Sequence, residues 1–438
     1  MLAAYRSPLE ATVVAQLRTR GAVIVGKTQL DEFGMGSHSL NGGVGGPVAG
    51  AGADRVAGGS SGGSAAAVRA GAADVALGTD TGGSVRLPAA YCGVVGFKPS
   101  YGLLSRFGVV PYANSLDTVG LLAPDVAAIR ELVARDGLWG EHDAKDPTSP
   151  TTEQRLRYAK GRQGYPAPGS TEIHYPSDFE GLSLTFGVPV EYNIEELDGD
   201  VRKAWVDTLA KLKELGQRVV PVSLPHTRHA LSAYYVIAPA EASSNLAKYD
   251  GVRYGSRQGG ADDADDAEGG VLYAATRGRG FGPEVQRRIV LGTYSLSSDA
   301  MDNYFVQAQK VRRLVRRDFD AVFALPNPLH DDGQLDLTAL PEGVELADKR
   351  GPPQVDFLVC PTAPTVAPTV AEARAETPTD EYVRDVFTVP ASLAGLPAIS
   401  IPAPRASADD PPVGMQLIGQ YWDDARLLAV AQMLYQAR

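Results

Sequence analysis

Two short runs of glycine and serine, GGSSGGS at 58–64 and GGS at 82–84, contain the residues best suited to chemistry in this sequence. Serine hydroxyls can act as nucleophiles or proton relays, and glycines let the backbone approach a substrate closely. Successive backbone N–H groups in such loops can stabilise a developing negative charge. Flexible linkers share this composition, but the apolar stretches 65–68 and 75–77 separate the two runs. The pattern therefore favours a functional site over a linker.

Secondary structure around these runs places both at the edge of a sheet. A short alanine-rich helix is expected at 64–70 and a buried strand at 75–77, so the loop 78–84 lies at the carboxyl end of that strand. Ligands of open α/β sheets bind at this edge. Further on, a strand, a helix and a strand at 182–188, 201–215 and 218–222 form a βαβ unit, which predicts a mostly parallel sheet.

The remaining elements follow from apolar periodicity and from β-branched runs. Strands are expected at 22–25, 357–360, 398–401 and 415–418, and helices at 9–20, 124–135, 234–249, 299–319 and 424–436. The polar stretches at about 140–179 and 327–353 break this pattern and are expected to be insertions at the surface of one domain spanning 1–438.

Composition limits the classes of function. The chain has 438 residues and a net charge of −11, which argues against a large nucleic-acid-binding surface of its own. Two cysteines provide neither a disulfide framework nor a metal cluster. No apolar run is long enough for a transmembrane helix, and the first residues do not form a secretory signal.

Two further patterns are not expected to be functional. Residues 21–28, GAVIVGKT, satisfy a phosphate-binding pattern, but the predicted strand occupies the positions where that motif needs a glycine-rich loop. Lys27 is therefore expected to end a strand and help position the loop after it. His226 and His229 have a spacing that could hold a metal, but no third ligand accompanies them, so no metal site is predicted.

Several strings resemble the amidase signature family. They are GGSSGGS with GTDTGGSVR, and, on either side, GKTQLDEFGMGS, CGVVGFKPSYGLLSRFG, YYVIAPAEASSNLAKYDGVRYG, RRIVLGTYSLSS and RDVFTVPASLAGLPAISIP. The resemblance implies an α/β fold, a single large domain whose mostly parallel mixed central sheet is covered by helices on both faces. It also implies amide hydrolysis by a Ser–Ser–Lys triad, which fits the absence of histidine from the core motifs.

The resemblance assigns roles to the two loops. Ser84 is implied as the nucleophile that carries the acyl ester, and Ser60 as the relay serine next to a cis peptide bond. The backbone N–H groups of Thr81, Gly82, Gly83 and Ser84 are implied as the oxyanion hole.

The later strings resemble the branch of the family that serves tRNA-dependent amidotransferases, which implies glutamine as the substrate. Arg288 would bind its α-carboxylate, Asp385 its α-amino group, and Tyr234 would line the pocket. The same resemblance implies two protein partners, a B subunit together with a small third subunit, and Glu-tRNA(Gln) bound through the complex. No cofactor is expected in this chain, because ATP and Mg would be used by the partner subunit. No membrane contact is expected.

The sequence departs from the family pattern in two places. The family's catalytic lysine lies in a hydrophobic-Lys-Asp-Asn segment upstream of EATVV, and this chain begins after that point. Ser392 stands where the family usually has Asn. An N-terminally incomplete glutaminase is the preferred interpretation, and the long polar insertions favour a mitochondrial over a bacterial cytoplasmic form. The alternatives are a stand-alone amidase and a non-catalytic assembly subunit.

Overall fold

One sheet of eight strands forms the centre of the molecule. The computed structural model describes residues 1–2, 5–42, 48–52, 54–135, 138–160, 183–257, 272–329, 354–405, 407 and 410–438. The strands are β1 (Ala76–Asp80), β2 (Val95–Lys98), β3 (Thr118–Ala123), β4 (Thr185–Pro189), β5 (Arg218–Val222), β6 (Phe357–Pro361), β7 (Ala398–Pro402) and β8 (Gly414–Ile418).

The strand order is β1-β3-β2-β7-β8-β6-β4-β5, and helices flank the sheet. Among the described residues, five strand pairings are antiparallel, and two, β4 with β5 and β4 with β6, are parallel. The expected α/β fold with a mixed sheet is confirmed, but the expectation of a mostly parallel sheet is wrong. The βαβ unit was correctly predicted, whereas β2 and β3 were not recognised as strands, and they form the antiparallel side with β1.

The helices are α1 (Thr12–Thr19), α2 (Gly62–Arg69), α3 (Arg86–Cys92), α4 (Val126–Arg130), α5 (Thr152–Ala159), α6 (Gly199–Glu214), α7 (Ala230–Leu246), α8 (Ala274–Gly280), α9 (Pro283–Ser295), α10 (Phe305–Val322), α11 (Val370–Ala375), α12 (Pro378–Val383), α13 (Val389–Ala394) and α14 (Asp424–Gln436). Short 3-10 turns lie at Glu32–Gly34, Leu138–Gly140, Val190–Tyr192 and Pro225–His229, and a π-helical turn at Glu131–Arg135 follows α4. No helix in the described part of the chain is long and apolar enough to cross a bilayer.

The strand expected at 22–25 is absent. Val23 and Val25 are 83% and 74% exposed, and no described strand pairs with this segment. β-branched residues favour a strand only where a neighbouring strand and a buried face accept them, so the propensity of these residues has no effect here. Because this strand is absent, Lys27, which is exposed, does not end a strand as expected.

Of the two predicted insertions, 161–182 and 330–353 lie outside the described residues. Within 143–158 the chain packs onto the domain. The Asp143 carboxylate accepts a 2.6 Å hydrogen bond from Ser105, and the ring of Tyr158 lies edge-on to that of Trp422 at 5.3 Å. Arg155 is buried and donates to the Leu103 carbonyl at 3.0 Å.

Candidate active site

The two glycine-serine loops meet through their backbones. The Ser61 N–H donates to the Ser84 carbonyl at 3.1 Å, and the peptide bond between Gly59 and Ser60 is cis. Ser60 is only 1% exposed, whereas Ser84 is partly open to solvent. Of the two serines predicted from the sequence, one is therefore buried and the other is more accessible.

The hydroxyl of Ser60 has no hydrogen-bond partner among the described residues, although its Oγ is fully buried. Its carbonyl accepts hydrogen bonds from the Asp31 N–H at 3.1 Å and the Ser39 hydroxyl at 3.3 Å. A buried hydroxyl is rarely left unpaired in a native protein, because the loss of its bond to water is not compensated. The Ser60 backbone is thus held firmly while its hydroxyl remains available for a further group.

Asp31 supports the loop from behind. Its carboxylate accepts the backbone N–H groups of Ser39 and Asn41, both at 2.9 Å. A Cβ at Gly59 would overlap the Asp31 carboxylate, so only glycine allows this approach. Burial raises the pKa of Asp31 to about 7, against the lowering effect of those hydrogen bonds. The sequence reasoning missed Asp31, whose only signal was its position in the DEFGMGS string.

Side chains on two sides hold the predicted oxyanion loop. The Thr81 hydroxyl donates to the Asp117 carboxylate at 2.9 Å, and the Thr388 hydroxyl donates to the Gly82 carbonyl at 2.6 Å. The backbone N–H groups of Gly82, Gly83 and Ser84 donate to no group in the part of the chain that the structure describes. Fixed donors without an internal acceptor are what an oxyanion hole requires.

Arg86 ties the loop to the centre of the sheet. It donates to Asp80 at 2.8 Å and to the Gln416 side chain on β8 at 2.6 Å. Burial, the largest single effect, raises the pKa of Asp80, but the charge and hydrogen bonds of Arg86, the charge of Lys98 and the Val85 N–H together outweigh it, and the net shift is downward. Ser392, where the family usually has Asn, accepts a 2.8 Å hydrogen bond from Arg86, so this position retains a hydrogen bond.

The predicted carboxylate-binding residue, Arg288, is 3% exposed and lies on α9. Its Nε donates to Glu284 at 2.7 Å, and its Nη1 donates to the Tyr112 hydroxyl at 2.7 Å. The guanidinium also lies 5.4 Å from the ring centre of Tyr235 and 5.5 Å from that of Tyr382. Aromatic rings and one carboxylate stabilise the charge, and the hydrogen bonds within the described residues leave Nη2 for a ligand.

Asp385, the predicted partner of the amino group, lies next to the oxyanion loop. Its Oδ2 accepts hydrogen bonds from the Tyr235 hydroxyl at 3.2 Å and the Ser37 hydroxyl at 3.3 Å. Its Oδ1 lies 3.4 Å from where a Cβ of Gly83 would stand. Burial raises the pKa of Asp385 to about 7, although the charge of Arg288 lowers it.

Tyr234 touches the same loop, since a Cβ at Gly82 would lie 2.6 Å from the Tyr234 ring carbon Cζ. Two of the three predicted substrate residues, Tyr234 and Asp385, therefore lie against the Thr81–Ser84 loop, and the charge of the third, Arg288, lowers the pKa of Asp385. The sequence reasoning missed the surrounding residues Tyr112, Tyr235, Glu284 and Tyr382. Glu284 could have been found, because it precedes Arg288 by one helical turn.

Neither a metal nor a lysine completes the site within the described residues. No three His, Cys, Asp or Glu side chains there lie close enough together to hold a metal ion. Lys98 is buried, and its Nζ donates to the backbone carbonyls of Pro99 and Leu396. Burial lowers the pKa of Lys98 to about 7, but its described hydrogen bonds reach neither serine.

Comparison with known proteins agrees with this geometry. The family model described as Amidase matches residues 1–428. The mitochondrial A subunit of glutamyl-tRNA(Gln) amidotransferase from Podospora anserina is 61% identical over 430 residues, covering 98% of this chain and 83% of the relative. The same-named protein of Pyricularia oryzae is 63% identical over 445 residues, with 98% and 83% covered.

Solved structures show the same fold. The crystal structure of the A subunit of glutamyl-tRNA(Gln) amidotransferase from Thermotoga maritima has a TM-score of 0.71 and 35% identity, covering 98% of this chain and 76% of that one. A crystal structure of an amidase has a TM-score of 0.69 and 28% identity, with 98% and 78% covered. The resemblance seen in the sequence is thus confirmed, and the chain belongs to the amidase family.

Proposed function

We propose that this protein is the glutaminase subunit of a glutamyl-tRNA(Gln) amidotransferase. The observation that carries the proposal is the contact between the two halves of the site. The Thr81–Ser84 loop, which would perform the hydrolysis, lies against Asp385 and Tyr234, which would bind the rest of a glutamine molecule. The names of the fungal and bacterial relatives support the same conclusion.

In the first chemical step, Ser84 Oγ bonds to the side-chain amide carbon of glutamine. The proton of the Ser84 hydroxyl passes through Ser60 to the amide nitrogen, and the C–N bond breaks. Ammonia departs, and a γ-glutamyl ester remains on Ser84. The free N–H groups of Gly82, Gly83 and Ser84, together with that of Thr81, stabilise the oxyanion. Water then hydrolyses the ester, and glutamate is released.

The base that accepts protons from Ser60 is a lysine from the hydrophobic-Lys-Asp-Asn segment that the family resemblance implies. The unpaired, buried hydroxyl of Ser60 supports this assignment, because an amine beside it would supply the missing hydrogen bond. A lysine acts as a base when burial and neighbouring charges lower its pKa. In the protein that carries this segment, changing its lysine to Met should abolish the hydrolysis and leave glutamine binding unchanged.

Arg288 and Asp385 determine substrate specificity. The Nη2 of Arg288 binds the α-carboxylate of glutamine, and the Oδ1 of Asp385, which lies beside Gly83, binds the α-ammonium group. The ammonia passes to a B subunit, which uses ATP and Mg to convert Glu-tRNA(Gln) to Gln-tRNA(Gln), and a small third subunit completes the complex. The relatives named mitochondrial support placement of this complex in the mitochondrion.

Ammonia release from glutamine by the assembled complex tests the proposal. Ser84→Ala should lower the rate by about 10³-fold or more, since the covalent step is lost. Ser407→Ala changes an exposed serine far from the loops in sequence and should leave the rate unchanged. If Ser84→Ala has wild-type activity, the chain is an assembly subunit without catalysis.

A stand-alone amidase would use the same serines on other amides, and Arg288→Ala separates it from a glutaminase. A glutaminase loses activity on glutamine and keeps its residual activity on a simple amide such as propionamide. In an amidase with another substrate, Arg288→Ala would either leave both activities unchanged or lower both. The buried position of Arg288 among three tyrosine rings favours the glutaminase.

A further inference from the structure

Helix α12 covers the pocket without being buried itself. None of its residues is buried, yet two of its side chains contact residues around Arg288 and Asp385. The ring of Tyr382 stacks on that of Tyr235 at 3.9 Å, and its hydroxyl donates to Glu284 at 3.1 Å. Glu381, the preceding residue, accepts the Ser37 N–H at 2.7 Å. The contacts that α12 makes through Glu381 and Tyr382 are therefore with residues that surround Arg288 and Asp385.

Ser37 brings two carboxylates together. Its N–H donates to Glu381 Oε1 at 2.7 Å, while its hydroxyl donates to Asp385 Oδ2 at 3.3 Å. Each carboxylate keeps its second oxygen without a hydrogen bond among the described residues, and the free oxygen of Asp385 faces Gly83. Each of two neighbouring carboxylates disfavours the charged form of the other, and a cation placed between them favours the charged form of both.

Once the aspartates around the pocket are ionised, its negative groups outnumber its positive ones. Asp31, Glu381 and Asp385 are close enough to influence one another, since the charge of Glu381 raises the pKa of both aspartates, after burial as the main cause. Arg288 is the cation that opposes them, and its Nε already pairs with Glu284. A positively charged group on the ligand would compensate this excess of negative charge.

We infer that Glu381 is a second specificity-determining carboxylate, which binds the α-ammonium group of the substrate together with Asp385. The inference rests on the proposed function and extends it. The pocket selects amides that carry an ammonium group beside a carboxylate, and helix α12 supplies part of that selection. Glu381 contacts the substrate at the end remote from the reacting amide, so it contributes to binding and not to bond breaking.

Calorimetric titration of two ligands into the 438-residue chain tests this assignment without requiring turnover. The ligands are glutamine and glutaramate, which has the same carboxylate and amide but lacks the amino group. Glu381→Gln keeps the shape of the side chain and removes its charge, and it should weaken glutamine binding about ten-fold, the usual effect of losing one charged hydrogen bond. Glutaramate binding should change by less than about two-fold. Glu214→Gln, on the exposed side of α6, controls for the change in net charge.

Equal weakening of both ligands by Glu381→Gln would show that Glu381 only holds helix α12 in place, and unchanged glutamine binding would show that it has no role. Either result overturns the inference while leaving the proposed function intact. If the wild-type chain binds neither ligand and the assembled complex hydrolyses no glutamine, the proposed function fails and this inference fails with it.

Discussion

At the scale of single residues, the pocket combines a permanent charge with groups whose charge depends on pH. Arg288 is buried among rings that help retain its charge. Burial raises the pKa of Asp385 to about 7 and that of the Tyr235 phenol well above its ordinary range. Tyr235 therefore stays a neutral donor to Asp385, and Asp385 is charged only at neutral pH and above.

Glutamine binding should consequently strengthen as the pH rises through about 7, since the ammonium group requires a charged Asp385. The pH dependence of kcat/KM reports the ionisation of the free protein, so kcat/KM should rise between pH of about 5.5 and about 8. Asp385→Asn should give a low kcat/KM and remove most of the rise. A pH profile of ammonia release for both proteins measures this, and a wild-type profile that is flat over the same range contradicts it.

Tyr112 determines how the Arg288 guanidinium is oriented. Its buried hydroxyl accepts the Nη1 hydrogen bond at 2.7 Å, so Tyr112→Phe leaves a buried donor unpaired and the guanidinium less constrained. KM for glutamine should rise about ten-fold while kcat falls less than two-fold, because the lost bond acts on binding. Tyr435→Phe removes an exposed hydroxyl that donates to the Pro124 carbonyl and should change neither value. A fall in kcat alone would contradict this role.

At the scale of elements, the pocket depends on the close packing of α7 and α9. Helix α7 carries Tyr234 and Tyr235, and α9 carries Glu284 and Arg288. The helices pack against each other at Gly292, where a Cβ would overlap the Pro239 carbonyl. Because the obstructing atom belongs to the backbone, a side chain at this position must push one helix away from the other.

Gly292→Ala should therefore destabilise the protein by about 1–3 kcal/mol, the usual cost of overpacking a close contact. It should also raise KM for glutamine, since Arg288 moves relative to Tyr235. Urea unfolding and steady-state kinetics measure the two effects. Gly278→Ala has open space around the new methyl group, and it should leave KM unchanged. A stable Gly292→Ala with normal KM would show that the helices separate without cost.

Local patterns predicted the elements that carry their own signal. Helix α6 has an amphipathic period, and β4 and β5 are short apolar runs beside it, so the βαβ unit was recovered. Strand β3, TVGLLA, is buried on both faces and lacks alternation, and only its antiparallel partners β1 and β2 identify it. The segment 22–25 shows the opposite failure. Its residues favour a strand, but no described strand pairs with it and it does not form one.

The sequence nominates Ser60, Ser84 and Arg288 as site residues because a loop or a family string carries them, and their roles stay predictions. The residues around them were not predictable, because their role comes from contacts between distant parts of the chain. Tyr382 lies on α12, far from Tyr235 in sequence, and no local pattern links the two rings. Asp31 resembles any loop aspartate until the fold places it behind Gly59.

At the scale of the whole molecule, segments from both ends of the chain are fastened at the site. Arg86 connects β1 to β8 through Asp80 and Gln416, and Ser37, which follows the 3-10 turn at Glu32–Gly34, binds Asp385 in the C-terminal part of the chain. Unfolding of the protein must therefore break these contacts and expose the buried carboxylates to water. Folding stability consequently depends on the protonation of Asp385, even though this residue is expected to serve the substrate.

The sign of that dependence follows from linkage. The pKa of Asp385 is about 7 in the folded protein, against 3.8 in a model compound. The folded state therefore binds a proton that the unfolded state has already lost, and the free energy of unfolding falls as the pH rises from about 4 to about 7. A shift of this size corresponds to a loss of about 4 kcal/mol at most for one fully buried group. Above the folded pKa the penalty is complete and constant.

Asp385→Asn should remove this dependence while keeping the shape of the side chain. Relative to the wild type, the variant should gain stability between pH of about 5 and about 8, measured by urea unfolding without glutamine. Asp207→Asn alters an exposed carboxylate that pairs with Lys203, and it should keep the wild-type dependence. Parallel curves for Asp385→Asn and the wild type would mean that Asp385 is already charged at pH of about 5. Saturating glutamine should reduce the difference in free energy of unfolding between Asp385→Asn and the wild type, because its ammonium group stabilises the charged carboxylate in the wild type alone.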